Sequence, residues 1–235
     1  MLDVSILCPL GFKAVRANRA SLKLITHLKA SLHGAFYLYP ATSHLWLNGY
    51  NVWMITLGVI ADTHIPDRAR RLNPRVLAVF RQARLQAILH AGDISAPSVL
   101  AELEQVAPVY AVRGNRDWVA LARLPLTQTL TFGEVSLGMV HGHGRLRNYL
   151  VDKVHYWMHG YRLERYQPRL EAGFPQAQVI VFGHTHIPLV QWSNGRLLFN
   201  PGSPHFPGRK DLCPSVGLLH LCEGGQVEGE IVWLA

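Results

Sequence analysis

The chain has 235 residues, enough for one good-sized core or one domain with an extension. It is 49% hydrophobic and only 16% charged, which excludes a disordered chain, and no apolar run reaches the ~18–20 residues of a membrane span. The formal charge of +8 is uneven. Residues 1–53 hold five bases (Lys13, Arg16, Arg19, Lys23, Lys29) against one acid (Asp3), leaving 18 bases and 14 acids for the rest, so the body is mildly basic and net charge alone does not argue for nucleic-acid binding.

Residues 1–53 are acid-poor, contain Ser, Lys and Arg, and turn aromatic from Phe36 to Trp53. They read as an N-terminal extension before a domain at 54–235: a mis-called start or disordered tail with Met54 as the native beginning, or alternatively a targeting presequence. Ser21–Lys29 is compatible with one short amphipathic helix. Three cysteines (Cys8, Cys213, Cys222) without CxxC spacing argue against a disulfide framework or a cysteine zinc site, and for a reducing, cytoplasmic setting.

From Met54 the pattern alternates. Ile55–Ile60 is apolar on both faces, as an interior strand of a covered sheet requires. Asn73-Pro74 opens a helix, with asparagine as cap and proline in the first turn; Val76, Leu77, Val79, Phe80, Ala83 and Leu85 supply its apolar face. The strand AILH follows, then a second helix capped by Ser95 or Ser98, then the strand VYAV. This βαβαβ order predicts a parallel sheet with right-handed crossovers. Thr127–Phe132 and Glu134–Val140 read as a hairpin, Leu146–Leu170 as one long helical segment, QVIVF as a buried strand, and the remainder as strands with turns at Asn194-Gly195 and Gly224-Gly225.

Five of these strands end in a small-residue turn bearing metal-type ligands: Asp62 and His64, Asp93, Asn115, His141, and His184 with His186. Ligand sites in open α/β sheets lie at the carboxyl ends of strands, and the neighbouring glycines let backbone approach an ion without a Cβ clash. Carboxylate, amide and imidazole without thiolate suit Mn²⁺, Fe or Zn²⁺ in higher coordination rather than a closed structural zinc site. Seven side chains exceed one catalytic metal and suit two sharing a carboxylate, roughly 3.5–4 Å apart.

The order Asp-x-His, Gly-Asp, Gly-Asn-x-Asp, His-Gly-His, Gly-His-Thr-His resembles the calcineurin-like metallophosphoesterases, most closely their small bacterial and archaeal phosphodiesterase branch, from Met54 to the C-terminus. The resemblance implies an α/β fold of two mixed β-sheets packed face to face and flanked by helices. It implies one metal held by Asp62, His64, Asp93 and His186, and another by Asp93 as bridge, Asn115, His141 and His184. Mn²⁺ is the expected metal, with Fe, Zn²⁺ and Ni²⁺ as alternatives. The implied reaction is hydrolysis of a small phosphate ester, a diester above all, by hydroxide shared between the metals. Asp117 would orient a ligand or the loop. Where many members carry histidine after Gly-Asn, this chain has Arg116, which does not give up its proton near neutral pH but can bind a phosphate oxygen. His143 is then the nearest candidate for protonating the leaving group.

The insert from Arg145 to Phe174 is rich in aromatics and bases. Leu150, Val154, Trp157 and Tyr161 recur at helical spacing, so a helix packed on the sandwich is preferred over a lid or a nucleic-acid face. Arg68, Arg70 and Arg71 read equally as an anion-attracting cluster or a solvated turn. His90 reads as a core histidine, and Asn200–Ser203 as a tight turn. The expected partner is a phosphate-ester small molecule; nucleic acid is disfavoured, no membrane is expected, and a homo-oligomer is left open. A non-catalytic scaffold or binding protein of this fold and a metal-dependent nuclease are the alternatives. All seven ligand positions carry competent side chains, which favours the enzyme.

Overall fold

The computed structural model describes residues 43–47, 50–118, 121–144 and 146–234. Residues 1–42, including the expected Ser21–Lys29 helix, lie outside the described residues. The elements are β1 (Ser43–Leu47), β2 (Tyr50–Ile60), α1 (Pro74–Ala83), β3 (Ala87–His90), α2 (Pro97–Glu104), β4 (Val109–Ala111), β5 (Thr127–Phe132), β6 (Val135–Val140), α3 (Leu146–His159), α4 (Gln167–Gly173), β7 (Val179–Phe182), β8 (Leu189–Ser193), β9 (Arg196–Asn200), β10 (Ser215–Cys222) and β11 (Val227–Trp233), with 3₁₀ turns at Leu163–Arg165 and Glu223–Gly225.

Two mixed sheets form. The first runs β11-β10-β2-β3-β4, with β2, β3 and β4 parallel and β10 and β11 antiparallel. The strand expected from Met54 begins at Tyr50, and β1 pairs antiparallel with its first half, Ser43 opposite Met54. The second sheet runs β5-β6-β7-β9-β8, with β6, β7 and β9 parallel.

The sheets pack face to face. Leu57, Val59 and Leu89 from the first meet Leu137, Val181 and Phe199 from the second. The alternate residues of the same strands point outward: Ile60 and Ile88 under α1 and α2, Ile180 and Phe182 under α4. Both faces of the central strands are therefore buried, which is why they read as continuous apolar runs. Each fully buried large side chain contributes roughly 1.5–3 kcal/mol.

The capping chemistry is mixed. Asn73 caps α1 as expected, its side-chain oxygen accepting from the Arg75 N–H at 3.0 Å, with Pro74 at the first position. Asn73→Ala is expected to lower stability by about 1 kcal/mol in a denaturant titration; a loss below the noise would show that the cap contributes nothing. At α2 the expected serine cap is absent. Ala96 takes the position without a side-chain bond, and Pro97 supplies the fixed φ.

The insert departs from expectation in two ways. The single helix from Leu146 to Leu170 is broken after His159, at Gly160 (φ +72°), into α3, a 3₁₀ turn and α4. Leu163, Tyr166, Leu170 and Phe174 pack on the second sheet, whereas Val154 and Trp157 on α3 are 60% and 86% exposed. Of the stripe expected to pack, Val154 and Trp157 thus face solvent, while Tyr161 packs against the second-sheet cluster as expected. Cys222 is free, and Cys213 is buried. No helix among the described residues is long and apolar enough to cross a membrane.

Candidate metal centre

The five ligand-bearing turns meet at one seam between the sheets. β2, β3 and β4 deliver Asp62, His64, Asp93 and Asn115; β6 and β7 deliver His141, His184 and His186. The turns are woven together by backbone bonds: Asp62 N–H to Gly92 O (2.9 Å), His64 N–H to Asp93 O (3.0 Å) and Gly183 N–H to His141 O (3.1 Å). Asp62, His64, Asp93, His184 and His186 all sit at positive φ, from 50° to 69°. Non-glycine residues rarely adopt that region, and a cluster of them costs energy that packing elsewhere must offset. Five such residues around one point are a signature of a site rather than of a turn.

Two groups of donor atoms lie within 4.8 Å of one another: Asp62, His64 and His186, and Asp62, Asp93 and His141. Asp62 Oδ1 is buried and accepts no hydrogen bond, yet faces Nε2 of His186 (3.3 Å), His64 (3.8 Å) and His141 (3.9 Å). Asp93 also spans both groups, with Oδ2 3.7 Å from His64 Nε2 and Oδ1 3.4 Å from His141 Nε2. Asn115 Oδ1 lies 3.1 Å from both His141 Nε2 and His184 Nδ1. A buried carboxylate oxygen that accepts no hydrogen bond and is ringed by imidazole nitrogens is a donor set that a cation would complete. The donor set therefore fits hard-to-borderline divalent ions.

Two imidazoles are aimed from behind. His141 Nδ1 faces Ala91 O at 2.8 Å, and His186 Nδ1 faces Phe206 O at 2.6 Å. Donating Nδ1–H to a carbonyl leaves the Nε2 lone pair directed at the centre. The charges follow the same pattern. Burial presses His64 to about 4 and His184 to about 3, against the pull of the carboxylates, so both stay neutral. Burial also disfavours the charged form of His141, but Asp93 and Asp62 outweigh it and lift the ring to about 9. Burial would raise Asp62; the charges of His186 and His141 bring it below the usual carboxylate range. Fields that draw protons onto these imidazoles draw a cation equally.

The remaining predicted site residues divide. Asp117 is buried and meets no ligand atom. Its Oδ1 accepts from the Ile94 and Ser95 N–H groups and its Oδ2 from Gly114 N–H at 2.8 Å, so it ties the β3 turn to the β4 turn. Arg116 contributes its backbone N–H to Asp93 Oδ1 at 2.8 Å, while its guanidinium turns to Asp67 Oδ2 at 3.5 Å, with the side chain 41% exposed. His143 is half-buried, its ring 5.3 Å from His141 and 6.2 Å from His184. His90 is a buried core histidine whose Nε2 meets Thr63 Oγ1 at 3.2 Å. In the insert, Arg165 and Arg169 are held by the buried Asp152, and Arg169 lies over Tyr166, which removes bases from any nucleic-acid face.

Two residues escape a reading limited to ligand types. Ser203 Oγ donates to Asp62 O (2.8 Å), and Asn200 Nδ2 donates to Gly183 O (2.9 Å). The turn that carries them follows β9, which runs parallel to β7, so it ends at the same edge as the ligand turns. That parallel placement is the signal that would have found them.

Residues 55–224 match the calcineurin-like phosphoesterase superfamily domain. The chain is 36% identical over 176 residues to a protein of Methanothermobacter thermautotrophicus named a probable metallophosphoesterase, covering 75% of this chain and 91% of that one. It is 29% identical over 153 residues to a phosphodiesterase of Escherichia coli, covering 57% and 72%. Among solved structures, vacuolar protein sorting 29 of Cryptosporidium parvum superposes with a TM-score of 0.55 at 20% identity, covering 77% of this chain and 98% of that one; this shows the fold alone.

Proposed function

The chain belongs to the calcineurin-like phosphoesterase superfamily, and on that premise we propose that it is a phosphodiesterase that hydrolyses a small phosphodiester with the help of two divalent cations. Asp62, His64, Asp93 and His186 would hold one cation, and Asp93, Asn115, His141 and His184 the other. Mn²⁺ suits this oxygen-and-imidazole set, with Fe, Zn²⁺ and Ni²⁺ as alternatives. The carrying observation is Asp62 Oδ1, buried, accepting no hydrogen bond and faced by three imidazole nitrogens.

Bound there, the cations supply Lewis acidity that lowers the pKa of an attacking water and stabilises charge growing on the phosphate oxygens. The chain does the rest. Ala91 O and Phe206 O orient two imidazoles, Asp117 fixes the spacing of the β3 and β4 turns, and the strained backbone holds the ligands in place before substrate arrives. Arg116 keeps its proton, so the leaving oxygen receives none from it. His143, beside His141 and His184, is the remaining candidate to donate one.

The test is hydrolysis of bis-p-nitrophenyl phosphate and p-nitrophenyl phosphate by metal-stripped protein with Mn²⁺, Mg²⁺ or Zn²⁺ added back. Turnover of the diester that appears only with metal is the expected result. Metal bound at both positions without turnover of either ester would move the weight to a binding role. A second expectation concerns the leaving group. An alkyl phosphodiester should react at least ~10-fold more slowly than the nitrophenyl one, and His143→Gln should widen that gap, because general-acid help matters most for a poor leaving group. Equal losses on both esters after His143→Gln would remove it as the acid.

A further inference from the structure

We infer that Arg68, held over the Phe206 ring, is the cation that receives an anionic oxygen of the phosphate ester on the His64/His186 side of the centre; the inference rests on the phosphodiesterase reading and adds a specificity-determining residue to it.

Arg68 is anchored one turn beyond a candidate ligand, its N–H donating to His64 O at 2.9 Å. Its side chain is exposed, and its guanidinium carbon lies 5.7 Å from the centroid of the Phe206 ring. A cation over an aromatic face is held in place while its N–H groups stay free at the edge. Phe206 is itself part of the site's frame. Its carbonyl faces His186 Nδ1, and its N–H donates to Ser203 Oγ at 3.0 Å, the same hydroxyl that donates to Asp62 O. Arg68 therefore stands on a platform locked to two of the turns that carry ligands.

The other arginine near the centre is differently placed. Arg116 is ion-paired with Asp67, whereas no carboxylate among the described residues lies within ion-pair distance of Arg68. An unpaired guanidinium at the mouth of an anion-binding centre gives its full charge to the substrate and can bond two oxygens at once.

The experiment measures calorimetric affinity for inorganic phosphate by the Mn²⁺-loaded protein, together with KM and kcat for bis-p-nitrophenyl phosphate. Melting temperature and metal content confirm each variant as folded and loaded. Arg68→Gln should weaken phosphate binding and raise KM by about tenfold with kcat within about threefold, the pattern of lost binding rather than lost chemistry. Phe206→Leu should weaken both by about threefold, because it removes the platform and keeps the charge. Arg71→Gln, an exposed neighbour, should leave both within about twofold. The assignment is overturned if Arg68→Gln stays within twofold of the parent, or if Arg71→Gln matches its effect. If the parent binds phosphate through Arg68 yet hydrolyses neither ester, the phosphodiesterase reading falls and the anion receptor stands. If the loaded parent binds no phosphate yet hydrolyses the diester with KM unchanged by Arg68→Gln, the Arg68 assignment falls and the phosphodiesterase reading stands.

Discussion

Asp93→Ala is expected to lower kcat/KM for a phosphodiester by ~10³-fold or more and to leave the protein folded. Asp93 is the carboxylate whose two oxygens look different ways, one toward His64 and one toward His141. On the proposed assignment its removal would withdraw a ligand from both halves of the centre at once. Interactions that stabilise charge in a transition state are worth about 10²–10³ each when a single donor is lost, and a shared ligand exceeds that. Folding should tolerate the change. The side chain makes one hydrogen bond to backbone, from Arg116 N–H, and its negative charge stands close to that of Asp62. Asp93→Asn separates shape from charge, since the amide oxygen can still accept from Arg116 while the negative charge is gone. It should lose most of the activity and should bind less than the full complement of metal by elemental analysis. An Asp93→Asn protein with parental activity would show that the carboxylate is not a shared ligand.

Gly114→Ala should be the most damaging methyl group that can be added to the site. A Cβ at Gly114 would fall on Asp93 Oδ1 and on the Asp93 backbone nitrogen. A flexible side chain could move aside, but a backbone nitrogen cannot, because the β3 turn is tied to the β2 turn through His64 N–H and to the β4 turn through Asp117. Overpacking of this kind costs about 1–3 kcal/mol and more where backbone must shift; the upper end is expected here. The displaced groups include a ligand and the residue before Asn115, so metal affinity should fall with stability. Thermal melts with and without Mn²⁺ test both at once: the variant should melt lower and should gain less from the metal than the parent does. A variant that melts like the parent would show that the turns are looser than their contacts indicate.

The candidate ligand positions are legible in the sequence because they depend on local facts. Each ligand-bearing turn follows an apolar run within a few residues; Asp93, Asn115, His141 and His184 stand beside a glycine, whereas Asp62 is marked only by its Asp-x-His spacing. The two-sheet arrangement came from resemblance rather than from periodicity, since parallel pairing of β6, β7 and β9 leaves no mark within any one strand. Asp117 reads as a residue behind the ligands, but two of its three backbone partners, Ile94 and Ser95, lie in another turn 23 and 22 positions away. Ser203 was hidden for the same reason, its partner Asp62 being 141 positions away. Propensity failed at α2, where Pro97 starts the helix without a serine cap, and at α3, where an apolar stripe that would ordinarily pack is left outside. Arg68 could be counted as one of three arginines; only the Phe206 ring beneath it sets it apart.

The position of β10 has a consequence for the order of events during synthesis. β2, which leads into Asp62 and His64, lies between β3 and β10. β3 follows it closely along the chain, but β10 is not made until after His186, and its His220 meets Thr56 across 164 positions. A growing chain on the ribosome therefore emits every candidate metal ligand while the strand leading into the first two still has one open flank. Contacts so distant in sequence form late. A nascent chain halted before Ser215 would carry all seven candidate ligands with the first sheet incomplete.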